Sequence, residues 1–294
     1  MAELAVADAP PASRAFWRSR EGLLVLPALV FYLAVYIYPL SRLGAWSIYD
    51  NGFTLKFYAE LFAESMYLKA LGNTLEISVL VTAVCLIVGY PLAYLIATTS
   101  PTLRRILMIL VLVPFWTSIL VRTFAWIVIL GNNGLVNRAF TAIGLIDHPI
   151  KLLFNMVGVQ VGMVHVLLPF MVFPLLGAMS RIDLNVVRIA RSLGATPSRA
   201  FLHVFLPLIL PGVAAGCVLV FLLAIGFYVT PALLGGPGEI TLATLIDMMI
   251  NTLLNWGLAA TLGMLLVVVV AAIFLAFSGL MGLNRMIGAG GEPT

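Results

Sequence analysis

The sequence predicts an all-α integral membrane protein with six transmembrane helices and one extra short helix, on the cytoplasmic side, between the fourth and fifth spans. Three observations carry this reading. Hydrophobic residues make up 62% of the 294 residues and charged residues only 10%, with a mean hydropathy of +1.12; soluble domains carry roughly 25% charged residues. Apolar runs of about 20 residues, the length that crosses a bilayer, recur along the chain. Lys and Arg are shared unequally between alternate loops, as they are in polytopic membrane proteins.

The runs fall at 22–40, 71–97, 106–130, 156–179, 206–233 and 256–281. At a rise of about 1.5 Å per residue each can cross the hydrocarbon, the longer ones by tilting or protruding. Residues 1–21 are polar and basic toward their end. The apolar run that follows is long and no A-x-A site follows it, so an uncleaved first span is expected rather than a signal peptide. Residues 22–283 then form the transmembrane domain, with a loop at about 181–205 and a tail at 284–294.

With both ends in the cytoplasm, the inner segments hold Arg14, Arg18, Arg20, Arg104, Arg105, Arg181, Arg188, Arg191, Arg199 and Arg285. The outer segments hold Arg42, Lys56, Lys69, Arg138 and Lys151, offset by acids that include Asp50, Glu239 and Asp247. This asymmetry places both termini inside. It also accounts for a pI near 9.2 without a nucleic-acid partner. In the outer stretch "GGPGEITLATLIDMMINTLLNWG" apolar positions recur at helical spacing, which predicts a short surface helix. Cys85 and Cys217 both lie in apolar runs and imply neither a disulfide framework nor a metal site.

The segment between spans four and five, "SRIDLNVVRIARSLGATPSRAFLHVFLPLILPG", reads as helix, break, helix. Asp183 is an N-cap, and Val186, Val187, Ile189, Ala190 and Leu193 form an apolar stripe beside Arg188 and Arg191. Gly194 stops the helix, because glycine accepts the left-handed conformation. Thr196 and Pro197 restart the chain as N-cap and first helical residue. A basic loop held by positive-inside topology and anionic lipid explains the arginines. A helix with its own start, stop and apolar stripe suits docking onto a partner. On the residues alone both readings stand.

This segment resembles the EAA loop of binding-protein-dependent ABC importer permeases. Ala190 stands at the second Ala of that motif, Gly194 at its Gly, Val204 at its Ile and Leu206-Pro207 at its Leu-Pro, with "ARSLGA" between. Two positions depart, Arg188 replacing the Glu and Ile189 the first Ala; the reversed charge puts the contact made through that Glu in question. "NTLEISVLVTAVCLIVGYPLAYLIA", "LPFMVFPL" and "FYVTPALLGG" extend the resemblance over most of the chain. The last two look most like the polyamine branch, with opine importers also similar.

The resemblance implies a type I ABC importer permease fold in a bacterial inner membrane, forming half of a translocation pathway. It implies that Val187, Arg188, Ile189, Ala190, Arg191, Ser192, Leu193, Gly194 and Ala195, with Leu206 and Pro207, couple the spans to a cytoplasmic ATPase dimer. The further partners it implies are a second homologous permease chain, usually a different one, an external solute-binding protein and the lipid bilayer. ATP and Mg would sit on the ATPase. This chain has no G-x-x-x-x-G-K-[ST] loop, and "GGPG" at 235–238 lacks the Lys and the hydroxyl residue, so no catalytic residue and no cofactor is assigned to it.

Ionisable groups within spans are functional candidates. Glu76 is either a pathway carboxylate or, with Asn73, a capping box at a helix start. Arg122 is expected to pair with Glu76 or to snorkel outward, and His165 to be a neutral hydrogen-bonded histidine between helices. Tyr228 and Thr230, before Pro231, belong to a gate-like stretch where an aromatic could face an alkylammonium cargo or serve the interfacial belt. Three rival readings compete with this one. An intramembrane serine protease is excluded, because "FSGL" at 277–280 follows Ala276 where a Gly is needed and no His comes later. A secondary transporter or channel would leave the short helix unexplained. A purely structural membrane subunit would not need an ATPase partner.

Overall fold

A computed structural model describes residues 20–50 and 52–280. Every regular element within them is a helix. In chain order these are α1 (Arg20–Tyr32), α2 (Tyr38–Ile48), α3 (Lys56–Ala63), α4 (Ser65–Thr98), α5 (Pro101–Trp116), α6 (Ile119–Leu130), α7 (Leu135–Ala142), α8 (Met156–Arg181), α9 (Leu184–Ser192), α10 (Pro197–Ala200), α11 (Leu206–Ile225), α12 (Val229–Leu234), α13 (Leu242–Asn251) and α14 (Trp256–Leu280). Six stretches are long and apolar enough to cross a membrane: Val25–Ile48, Ser65–Thr98, Ile119–Ala142, Met156–Arg181, Pro197–Ile225 and Trp256–Gly279.

The centre of the bundle is α8, packed between α4 and α11. Met163, Leu167, Met171 and Leu175 of α8 meet Ile77, Val81 and Cys85 of α4 and Ile209 and Val220 of α11, all of them buried. Lipid tails are as apolar as these side chains, so close packing rather than water expulsion holds the helices together. Glycines supply the closeness. A Cβ on Gly212 would strike the Ala178 Cβ and come within 3.0 Å of the Pro174 carbonyl oxygen, and one on Gly216 would lie 2.8 Å from the Met171 sulfur. The G-x-x-x-G spacing in α11 thus serves packing inside this chain. A second cluster joins α3, α4, α13 and α14 through Phe57, Leu61, Leu245, Met249 and Leu262.

Two spans change helical pitch at equivalent places. The π-helical turn Leu33–Ile37 joins α1 to α2, and the turn Phe201–Phe205 joins α10 to α11. Each ends two residues before a proline, Pro39 and Pro207 respectively, and the residue between donates its N–H to the first residue of the turn. Proline cannot donate that bond, and its ring crowds the carbonyl four residues back. A wider turn absorbs the mismatch, so both helices continue.

Three sequence expectations need correction. The third span is not one helix over 106–130: α5 ends at Trp116, Thr117 and Ser118 are extended, and α6 starts at Ile119. Pro114 removes one hydrogen bond of the last turn, and the chain leaves the helix two residues later. The fifth span, expected over 206–233, ends at Ile225, and Gly226, Phe227 and Tyr228 separate it from α12. The second begins at Ser65, so Asn73 and Glu76 lie more than two turns inside a helix and form no capping box. Asn73 instead donates from Nδ2 to the Gly238 (2.7 Å) and Ile240 (3.0 Å) carbonyl oxygens. Arg285 and the tail at 284–294 lie outside the described residues.

Candidate functional site

The loop between α8 and α10 has the local structure its sequence encodes. The Asp183 carboxylate accepts from the Asn185 N–H at 2.9 Å and caps α9. Gly194 adopts φ +92°. Its N–H reaches the Arg191 carbonyl oxygen at 3.0 Å, and the Ala195 N–H reaches back to Ala190 at 3.1 Å, the paired bonds of a Schellman stop. Thr196 Oγ1 accepts from the Arg199 N–H at 3.3 Å, and Pro197 opens α10. The chain therefore leaves one helix, turns in four residues and enters the next with its polar backbone satisfied.

The apolar stripe of α9 has little to cover it. Val186, Ile189 and Leu193 are exposed, Leu193 by 83%. Arg188 and Arg191 are exposed beside them, and Arg188 Nη1 donates to Asn185 Oδ1 at 3.2 Å. Ser192 Oγ donates to the Arg188 carbonyl oxygen at 3.1 Å. Ala190 and Ala195 are half-buried; the Val187 side chain lies outside the described residues. Immediately downstream, Phe201 meets the Tyr90 ring edge-on at 6.3 Å and Phe205 meets Tyr94 at 5.8 Å. Half-buried Leu206 leads into α11 ahead of Pro207. The segment that follows the turn after α9 thus contacts α4 through these rings and continues as helix into α11.

The residues singled out within the spans separate into groups. Arg122 opens α6 and His165 lies in α8. Trp126, one turn after Arg122, donates its indole N–H to His165 Nδ1 at 3.1 Å, so in the neutral ring the proton is on Nε2. His165 is the interhelical histidine that was expected. The expected Arg122–Glu76 pair does not form. Among the described residues Arg122 has no ion pair, and its buried Nε has no hydrogen-bond acceptor. Glu76 is exposed on α4.

Tyr228 precedes α12 and donates its hydroxyl to Asp247 Oδ2 at 2.9 Å, while Asn251 Nδ2 holds Oδ1 at 2.6 Å. That hydrogen bond to a carboxylate, with some burial, raises the Tyr228 pKa, so the phenol stays protonated at neutral pH. Thr230 is fully buried, its methyl facing Gly162, and its hydroxyl has no partner. Asp247 and Trp126 were not singled out from sequence. Asp247 is the only acid within α13, and Trp126 follows Arg122 at the i+4 spacing; both signals were present.

Together these elements define a helical membrane transport component: a packed bundle, helix breaks beside a cavity, and an external helix whose following segment packs on α4 and runs into α11. The family of binding-protein-dependent transport system inner membrane components matches residues 89–282, and the chain belongs to it. It is 35% identical over 250 residues to the spermidine/putrescine transport system permease protein PotB of Haemophilus influenzae, spanning 84% of this chain and 86% of that one. To PotB of Escherichia coli K12 it is 33% identical over 225 residues, 76% of this chain and 82% of that one. A crystal structure of a bacterial ABC transporter importing the acidic polysaccharide alginate superposes with a TM-score of 0.72 at 20% identity, covering 91% of this chain and 96% of that one. The fold is thus that of ABC importer permeases, and the chain is the permease subunit of such an importer.

Proposed function

We propose that this chain forms half of the pathway for an amine-bearing organic solute, a polyamine such as putrescine or spermidine or a related opine-type amine, and that a separate ATPase drives it through α9. The capped, exposed α9 carries the reading: its stripe has little cover among the described residues, and a four-residue turn leads from it into α10 and α11. Names of relatives at 33–35% identity support the cargo class, as does Asp247 beneath the aromatic Tyr228.

In this account α9 and both termini face the cytoplasm, and ATP and Mg belong to the ATPase dimer. A second, homologous permease chain completes the pathway, and an external binding protein delivers cargo. The chain itself performs no chemistry. Arg188 replaces the acid of the related loops, so its counterpart on the ATPase is acidic or the contact is carried by Ile189 and Leu193 alone. The test is expression with the neighbouring permease and ATPase chains, followed by uptake of labelled putrescine, spermidine and an opine into proteoliposomes. ATP-dependent uptake of one of these with its binding protein is expected. Uptake that proceeds without any ATPase chain would contradict the proposal.

A further inference from the structure

The helix breaks before α6 and after α11 open onto one cavity. Its volume is about 190 Å³, and its lining includes Phe115 from the last turn of α5, Arg122 from the first turn of α6, Phe170 of α8 and Phe227 from the break after α11. Non-helical backbone at membrane depth is tolerated where it is buried in protein or lines a cavity, and interrupted helices in transporters commonly mark the solute site. Arg122 is the only ionisable residue in this lining. Its Nε is buried without an acceptor. A guanidinium is never neutral and pairs best, in a two-pronged fork, with a carboxylate. Arg122 is half-buried, and its enclosed Nε edge, set among phenylalanines, is the part that an anion would compensate.

From this geometry we infer that Arg122 binds a carboxylate of the cargo in this cavity, so that the solute is an amine that also carries an acid group rather than a bare polyamine. The inference refines the proposed function and rests on it for the amine. A diamine passing the cavity meets a cation among apolar walls and is repelled. An amino-carboxylate satisfies Arg122 at one end, and its ammonium remains free for Tyr228, Asp247 or the second chain. A carboxylate of the second permease chain reaching into the cavity is the competing source, and the test below separates the two.

The test uses the purified complex of both permease chains and the ATPase, with putrescine and 4-aminobutyrate as probes; one ammonium end of the first is a carboxylate in the second. Thermal melting of the complex should rise with millimolar 4-aminobutyrate in the wild type, and at least ten-fold more of it should be needed for the same rise in Arg122→Gln. Without ligand, Arg122→Gln should melt at or above the wild-type temperature, since an uncompensated charge has been removed. Equal responses in both proteins, or a rise with putrescine alone, would overturn the inference. So would a complex that loses its second permease chain in Arg122→Gln, because the carboxylate would then be that chain's. If the Arg122→Gln chain itself is not recovered folded but the Arg122→Lys chain is, Arg122→Lys decides: weaker binding of 4-aminobutyrate supports the fork, and unchanged binding overturns it. Failure of uptake for every amine probe, with the melting response intact, would count against the proposed cargo and leave the carboxylate site standing.

Discussion

Replacing Gly194 isolates the backbone from everything else in the loop. A Cβ at this position would meet no atom of this chain within 4 Å, so crowding within the described chain is not the first effect expected. What changes is conformation: at φ +92° an L-residue pays roughly 1–2 kcal/mol. Helix α9 has nine residues, below the roughly 12–15 at which isolated helices become stable, and depends on its caps, each worth about 1 kcal/mol. A loss of about 1–2 kcal/mol therefore shifts the formed turn by a factor of about 5–30. In the reconstituted complex, Gly194→Val should lower ATPase stimulation by the loaded binding protein by about that factor, with the activity of the isolated ATPase unchanged. Gly194→Asn should fall between, because Asn tolerates left-handed backbone better than Val does. Equal activity of the wild type and Gly194→Val, or of the Val and Asn variants, would refute the reasoning.

Further outcomes follow from other contacts. Gly212→Ala should destabilise the purified protein by about 1–3 kcal/mol through overpacking, and Gly216→Ala by less, because the Met171 sulfur can move and the Pro174 carbonyl cannot; melting in detergent reads both. Thr74→Val removes the buried hydroxyl that accepts from the Leu242 N–H at 2.9 Å. An unsatisfied buried donor costs about 1–3 kcal/mol, so hydrogen exchange at the start of α13 should accelerate. Tyr228→Phe and Asp247→Asn should raise the KM for uptake by similar factors, and the double variant no further than either alone; additive effects would show that their hydrogen bond does not matter to transport.

The span count and the extra helix were legible because bilayer thickness fixes length and composition together, and because the capping residues Asp183, Gly194, Thr196 and Pro197 act locally. The breaks at Thr117-Ser118 and Gly226-Phe227-Tyr228 were not. Both stretches are apolar enough to read as continuous spans, and a proline inside a helix is sometimes absorbed, as Pro169 and Pro174 are in α8, and sometimes not, as with Pro114. Only the surrounding packing decides. The Asn73-x-x-Glu76 spacing misled for a related reason: the helix starts at Ser65 because α3 and α13 pack around its first turns, which no local pattern in 73–76 reports. Arg122 is legible as an intramembrane charge with two expected outcomes, snorkelling outward or pairing with Glu76; among the described residues the pair does not form, and packing rather than local sequence decides between them.

The most direct measurement is photocrosslinking from position 193, where the wild-type leucine, the residue that closes α9, is 83% exposed. With a photoreactive amino acid there, in membranes holding the whole complex, the account predicts a covalent adduct with the ATPase chain whose yield changes when ATP is added. Adducts with lipid or with this chain alone, in a complex that still transports, would contradict it.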